Sequence, residues 1–404
     1  MLFRSRRVDA GRIGRRRSTA APRAEGERWE RLARGVMRRP VAVIVATVAV
    51  LLVVASPFIG VRWGSVDYRV LPADSAAHQA AQTLVDDFGP ETSTADVLLQ
   101  GVDARGVASV EQAAGRVDGV TGVSPVAQRG DTTLLRVTWT GNSQSEESQR
   151  IVRDLRTLDP DQGSMLVGGL SADTVDLLDS VGSHLPWMGL IVLSVMLVLL
   201  FLAFGSLVLP IKAVVMNLVS ITASFGVVTW IFSDGHGADL LGFTPQGFLD
   251  ATNPILMLAI LFGLSMDYEV FLLSRVREEW DRTGDNTQAV AAGVRHTGRI
   301  ITSAALLLGV VIGAFSTSGI VFMKMLGVGM LVALAIDATV VRALLVPATM
   351  ALLGRWNWWA PAPMARWWSR YGFRESAPMP DAVPAAGGAG LRRSDPDAVG
   401  APGR

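Results

Sequence analysis

The sequence contains no cysteine, which excludes disulfides, thiolate metal sites and a cysteine nucleophile. Histidine is scarce too, and the four present show no HxxxH-like ligand spacing, which argues against a metal centre. Charge is the third thing in short supply. Only 18 % of the 404 residues are Asp, Glu, Lys or Arg, against about 25 % in an ordinary soluble chain. The two signs nearly cancel, at a net +1, so no global field points to nucleic acid or an acidic substrate. No nucleophile–base pair is visible, so an enzyme is the least supported class, and no cofactor is implied.

What the sequence has instead is apolar length. Half of it is hydrophobic, and six windows approach the ~20 residues that a bilayer crossing needs. They run over 41–59, 186–204, 210–232, 254–273, 300–315 and 321–345. Three open on a proline (Pro186, Pro210, Pro254), a residue tolerated in the first helical turn, where its missing N–H would be unpaired anyway. Arginine orients them. Residues 1–39 hold thirteen Arg, and the 275–299 loop adds Arg275, Arg277, Arg282, Arg295 and Arg299, whereas 233–250 has no Lys or Arg. Basic short loops stay inside, so both termini and 275–299 are expected in the cytoplasm and 62–185 outside it. A cleaved signal peptide is the alternative for the first window, but the basic stretch before it is too long for an ordinary n-region.

The domain plan is therefore a basic segment over 1–39, a first span over 40–61, an extracytoplasmic domain over 62–185, five further spans over 186–353, and a Trp-rich tail over 354–404. Residues 94–169 alternate apolar and polar positions in the order β-α-β-β-α-β, a ferredoxin-like plan, and 170–185 then predicts a helix feeding the second span. Five of the eleven Trp (356, 358, 359, 367, 368) follow the last span, where they suit the headgroup level. The final ~30 residues, rich in Ala, Pro and Gly, read as disordered.

The chemistry sits where charge is expensive. An ionisable group near the bilayer centre costs about 2.5–3.5 kcal/mol on insertion scales, so each one is a functional candidate. The windows hold Asp267 and Glu269 in "SMDYEVF", and Asp337 and Arg342 in "ALAIDATVVRALL". Lys212 and Lys324 lie near enough to helix ends to snorkel. At ~1.5 Å per residue, Asp267 and Asp337 both lie ~20 Å deep, where two carboxyls on neighbouring helices can share a proton. Tyr268, one of only three tyrosines, is suited to donate to a buried acid and later accept from it. Arg342 stands five positions from Asp337, ~140° around an α-helix, which argues against a direct pair. Glu269 points ~200° away from Asp267 and is expected at the cytoplasmic mouth. "GVVIG" at 309–313 predicts a helix-packing face.

At "FGLSMDYEVFLLSRVREEW", "RHTGRIITSAALLL", "ALAIDATVVRALLVPATMALLGRWNWW" and "VDYRVLPADS" the chain resembles the MmpL family of the RND superfamily, the lipid exporters of actinobacteria. The likeness covers about 30–360 and falls in the second of the family's two repeats. It implies that 62–185 is a porter domain and that the protein is a proton-driven transporter of lipids or other hydrophobic molecules in the inner (plasma) membrane. Asp267 and Tyr268 then match the family's proton-relay pair, and Asp337 and Arg342 its acid and arginine on the last helix. Family members carry twelve crossings; here there are six and no internal repeat. A complete relay thus implies a second six-helix half, from another copy or a separate chain, and the sequence reads as a half-size protein or part of a broken gene. The rival expectation is a non-transporting accessory membrane protein or remnant.

Overall fold

The structure, a computed structural model, describes residues 21–372. The Arg15–Arg17 run and the tail read above as disordered lie outside the described residues. Helix α1 (Ala21–Met37) precedes α2 (Pro40–Ala55), which is started by Pro40 in its first turn and prolonged by a 3₁₀ turn to Gly60. A short strand β1 (Trp63–Gly64) leads to α3 (Ala76–Phe88), N-capped by Ser75.

An α/β unit follows: β2 (Thr92–Gln100), α4 (Ala104–Ala114), β3 (Val120–Arg129), β4 (Thr132–Thr140), α5 (Glu146–Arg156) and β5 (Ser164–Gly168). The sheet order is β3-β4-β2-β5, with every neighbouring pair antiparallel. Its elements start where the sequence supplies caps: Asp103 accepts from Gly106 N–H at 2.7 Å, and Ser145 caps α5 ahead of Glu146 and Glu147, acids that suit a helix N-terminus. Strict alternation turns Ala95, Val97, Leu99, Leu135, Val137 and Trp139 to one face, where Val110, Ile151, Val152 and Leu155 of the two helices cover them. Trp139 buries its ring completely and still donates its indole N–H to Ser148, at 2.7 Å.

Helix α6 (Leu170–Phe204) then runs unbroken from this unit into the apolar core. Pro186 lies inside it and does not open a new helix. The proline and its neighbours are exposed, so no packed layer has to absorb the lost backbone bond. Next come α7 (Val208–Val228), continuing as a π-helical turn to Ser233, then α8 (Ala238–Leu241) and β6 (Leu249–Asp250), which pairs in parallel with β1.

Helices α9 (Asn253–Thr283) and α10 (Asn286–Phe315) meet at a turn of only Gly284 and Asp285. The expected 275–299 loop is therefore helix. Ion pairs Arg275–Glu278, Arg277–Asp281 and Glu279–Arg282 at i,i+3 and i,i+4 carry α9 beyond its apolar part. Gly284 then takes φ +68°, and Asp285 caps α10 through the N–H groups of Thr287 and Gln288. An apolar window measures membrane thickness rather than helix length, which is why the sequence reading cut both helices short.

The last span joins α11 (Val321–Ala335), a π-helical stretch over Ile336–Leu345, and α12 (Val346–Leu353); α13 (Ala362–Tyr371) follows. Among the described residues six helices are long and apolar enough to cross a membrane: Pro40–Gly60, Leu170–Phe204, Val208–Ser233, Asn253–Thr283, Asn286–Phe315 and Val321–Trp358. Small residues set their close crossings, though not the expected ones. Among the described residues Gly313 faces nothing, and Gly309 meets only the Leu331 and Leu334 side chains of α11. It is Gly226 against the backbone of Val54 and Ala55, and Gly327 against that of Phe315, that leave no space for a Cβ.

Candidate functional site

The four expected residues do not all converge. Asp337 and Arg342 do, and they pair directly: Nη2 and Nε of Arg342 donate to one carboxylate oxygen of Asp337 at 2.7 and 3.1 Å. The five-residue spacing that argues against this pair on an α-helix favours it here. The backbone from Ile336 to Leu345 is a π-helix, in which hydrogen bonds close onto the fifth residue, so side chains about five apart come together. Apolar periodicity carries no sign of a π-stretch, so only coordinates could correct that reading.

Around the pair, α9 supplies the rest of the first layer. Arg342 Nη2 also donates to the Ser265 carbonyl at 3.1 Å, and its guanidinium lies over the Tyr268 ring, 5.0 Å from the centroid. Tyr268 thus contributes its ring face to the arginine, a cation–π contact, and not its hydroxyl to an acid as the sequence suggests. Ser265 Oγ stands 3.2 Å from Asp337 Oδ1 and 2.9 Å from Asn217 Oδ1. One hydroxyl proton cannot serve two acceptors. The balance is met when the Asn217 amide turns its otherwise unpartnered Nδ2 towards Ser265, leaving the serine proton for Asp337. A cavity of about 20 Å³, lined by Asn217, Ser220, Ser265 and Asp337 among apolar side chains, adjoins these groups. It has room for about one water.

Glu269 and Lys212 complete the cluster and correct two expectations. Neither reaches a helix mouth: Glu269 is 7 % exposed and Lys212 8 %. Lys212 Nζ has no hydrogen-bond partner among the described residues and interacts electrostatically with Glu269, which in turn feels Asp337 and Arg342. Two acidic and two basic side chains are thus buried among α7, α9 and the last span, equal in number so that opposite charges can offset one another. Lys324 likewise does not snorkel; it is buried and donates to the carbonyls of Leu241 and Gly242 at the end of α8.

Asp267 is the exception. It projects from the opposite face of α9, exposed, on one stripe with Leu256, Ile260 and Gly263. No hydrogen bond or ion pair within the described residues reaches it, and Asp337 lies buried on the other side, so the two carboxyls do not share a proton within this chain. Sequence reasoning missed Ser265 and Asn217 entirely. Their only signal is that they are uncharged polar residues at mid-window, easily taken for helix packing.

Where the spans meet the α/β unit, a cleft of about 600 Å³ opens between the end of α2, α5, α6 and the start of α9. Ile59, Val61, Leu178, Leu185 and Ile255 make its apolar wall, and Arg62, Arg153, Glu146 and Asp179 its charged rim. Among the described residues no group of three or more His, Asp or Glu side chains converges as a metal site would require.

A multi-pass helical membrane protein with a balanced ion cluster buried in its spans is the class that fold and site define. The sequence matches the MMPL family over residues 72–382, and the chain belongs to that family. It is 42 % identical over 372 residues to the Streptomyces coelicolor protein SCO6666, covering 90 % of this chain and 51 % of that one. It is 37 % identical to the trehalose monomycolate exporter MmpL3 of Mycolicibacterium smegmatis, over 89 % of this chain and 37 % of the exporter. The mycolic acid-containing lipids exporter MmpL11 of the same organism is 34 % identical over 85 % of this chain and 38 % of its own. The chain thus spans about half or less of the length of the curated relatives it matches.

Proposed function

We propose that the chain is one half of a proton-driven exporter of lipids or other hydrophobic molecules in the plasma membrane. Its α/β unit is a ferredoxin-like porter domain outside the cell, and both its termini lie in the cytoplasm. The observation that carries this reading is the buried Asp337–Arg342–Ser265–Asn217 cluster in membrane-spanning helices. Family membership and the lipid-exporting relatives support the cargo class. Protonation of Asp337 releases the hold of Arg342 and re-forms it on deprotonation, a two-state contact between α9 and the last span. Repeated helical halves rocking about a site between them convert such a switch into transport. The second half comes from another copy of this chain or a separate six-helix chain, and it brings a group to Asp267.

The amphipathic cleft at the porter-side ends of the spans suits a molecule with an apolar tail and a polar head, level with the outer leaflet. For the non-transporting alternative, the same cleft would hold lipid without turnover. The test is reconstitution of the full chain, with its partner half if one co-purifies, in vesicles holding a fluorescent phospholipid. An imposed proton gradient is expected to drive the lipid between leaflets, and a protonophore to stop it. Lipid movement unaffected by the protonophore would overturn proton coupling, and no movement under any gradient would favour the accessory reading.

A further inference from the structure

Helix α1 belongs to no membrane crossing, yet it is held firmly against them. Ala33 is completely buried, and Glu30 pairs with Arg34 at 2.6 Å and with Arg295 of α10 at 3.2 Å. Trp29 lies flat on Gly298 of α10: a Cβ at that glycine would come within 2.8 Å of the indole Cγ and Cδ2. The glycine therefore provides the seat for the ring.

Behind the ring is a cavity of about 10 Å³, bounded by Trp29, Leu272, Val294, Thr297, Ala338 and Arg342. Its wall is apolar except for Thr297, which donates to the Gly293 carbonyl, and Arg342, whose Nη1 is buried without a hydrogen-bond partner among the described residues. The Asp337–Arg342 pair is thus flanked by two small cavities. The one at Asp337 is lined by Asn217, Ser220 and Ser265; the one at Arg342 ends at a half-buried indole.

We propose that Trp29 is the gate residue of the relay on the α1 side. Seated on Gly298, it keeps water from Arg342, and only when α1 shifts can the cluster exchange protons with that side. The inference rests on the proton-relay reading. Its geometry follows from charge: an uninterrupted water path on both sides of a buried ion pair would leak protons without moving cargo, so one side has to be shut while the other is open.

Two measurements on the full chain test it. The first uses the absence of cysteine. Thr297→Cys, close in size to the native residue, is labelled with a water-soluble maleimide, with Trp29 intact and with Trp29→Ala. Labelling is expected to be several-fold faster in Trp29→Ala, and Trp29→Phe to restore protection. Equal labelling in all three overturns the gate, whatever becomes of proton coupling. The second follows a pH dye inside vesicles without added cargo. Trp29→Ala is expected to raise proton entry several-fold, and Asp337→Asn in the same chain to abolish that rise. Faster labelling with a leak that survives Asp337→Asn retains the plug and overturns the relay it was proposed to serve.

Discussion

Asp267→Asn is expected to stop gradient-driven lipid movement while leaving membrane insertion and folding intact. The fold does not depend on this carboxylate: it is exposed, accepts no hydrogen bond within the described residues and lies on the outer stripe of α9. Facing lipid, however, it would cost about 2.5–3.5 kcal/mol at mid-bilayer. Such a cost persists only where the group meets another protein surface and does something there. Removal of a proton-transferring side chain typically costs about 100-fold or more, so the rate should fall by at least that order. The melting temperature of the purified chain should not change. A chain that loses both transport and stability would show that Asp267 is a packing residue; one that keeps full transport would remove it from the relay.

Arg342→Ala should have the opposite profile, with a large loss of stability. Its guanidinium makes both hydrogen bonds to Asp337, one to the Ser265 carbonyl and the contact with Tyr268. Its side chain is 7 % exposed, and that of Asp337 12 %. Breaking a buried pair by removing one partner typically costs about 3–5 kcal/mol, because the other charge is left uncompensated. Replacing both partners by apolar groups is often nearly neutral. Arg342→Met with Asp337→Leu should therefore recover most of the stability that Arg342→Ala loses, and none of the transport. The effect is read by thermal unfolding in detergent. A single mutant as stable as the parent would mean that the pair contributes little to the bundle.

The sequence predicts much of this architecture because its signals are periodic. Alternation in "TADVLLQG" and "TTLLRVTWTG" follows from one face packing on helices, and the six apolar windows follow from bilayer thickness. Asp267, Asp337 and Arg342 stand out because charge is rare there. The errors have one physical cause. Periodicity assumes one helical geometry and one element per window. It therefore separates Asp337 from Arg342, which a π-helix joins, and opens a helix at Pro186, which lies inside α6. It also breaks α9 and α10 where their apolar parts end, although ion pairs carry α9 onward as helix and Asp285 caps α10 ahead of its apolar part. Burial of Glu269 with Lys212 depends on where α7 crosses α9, which no local pattern encodes.

In a two-half transporter of the kind proposed, the Asp267 face of α9 is covered by a second six-helix unit. Gly263 lies on that stripe, and beyond its own stretch of helix no atom of the described residues comes within 4 Å of where its Cβ would stand, while Val310 of α10 is 77 % exposed. A benzophenone amino acid placed at each position in turn, and irradiated in intact membranes, reports what lies against it. A protein adduct is expected from position 263, with a mass equal to a second copy or another multi-span chain, and lipid adducts alone from position 310. Lipid adducts alone from both positions would leave Asp267 facing the bilayer and rule out a second unit at this face.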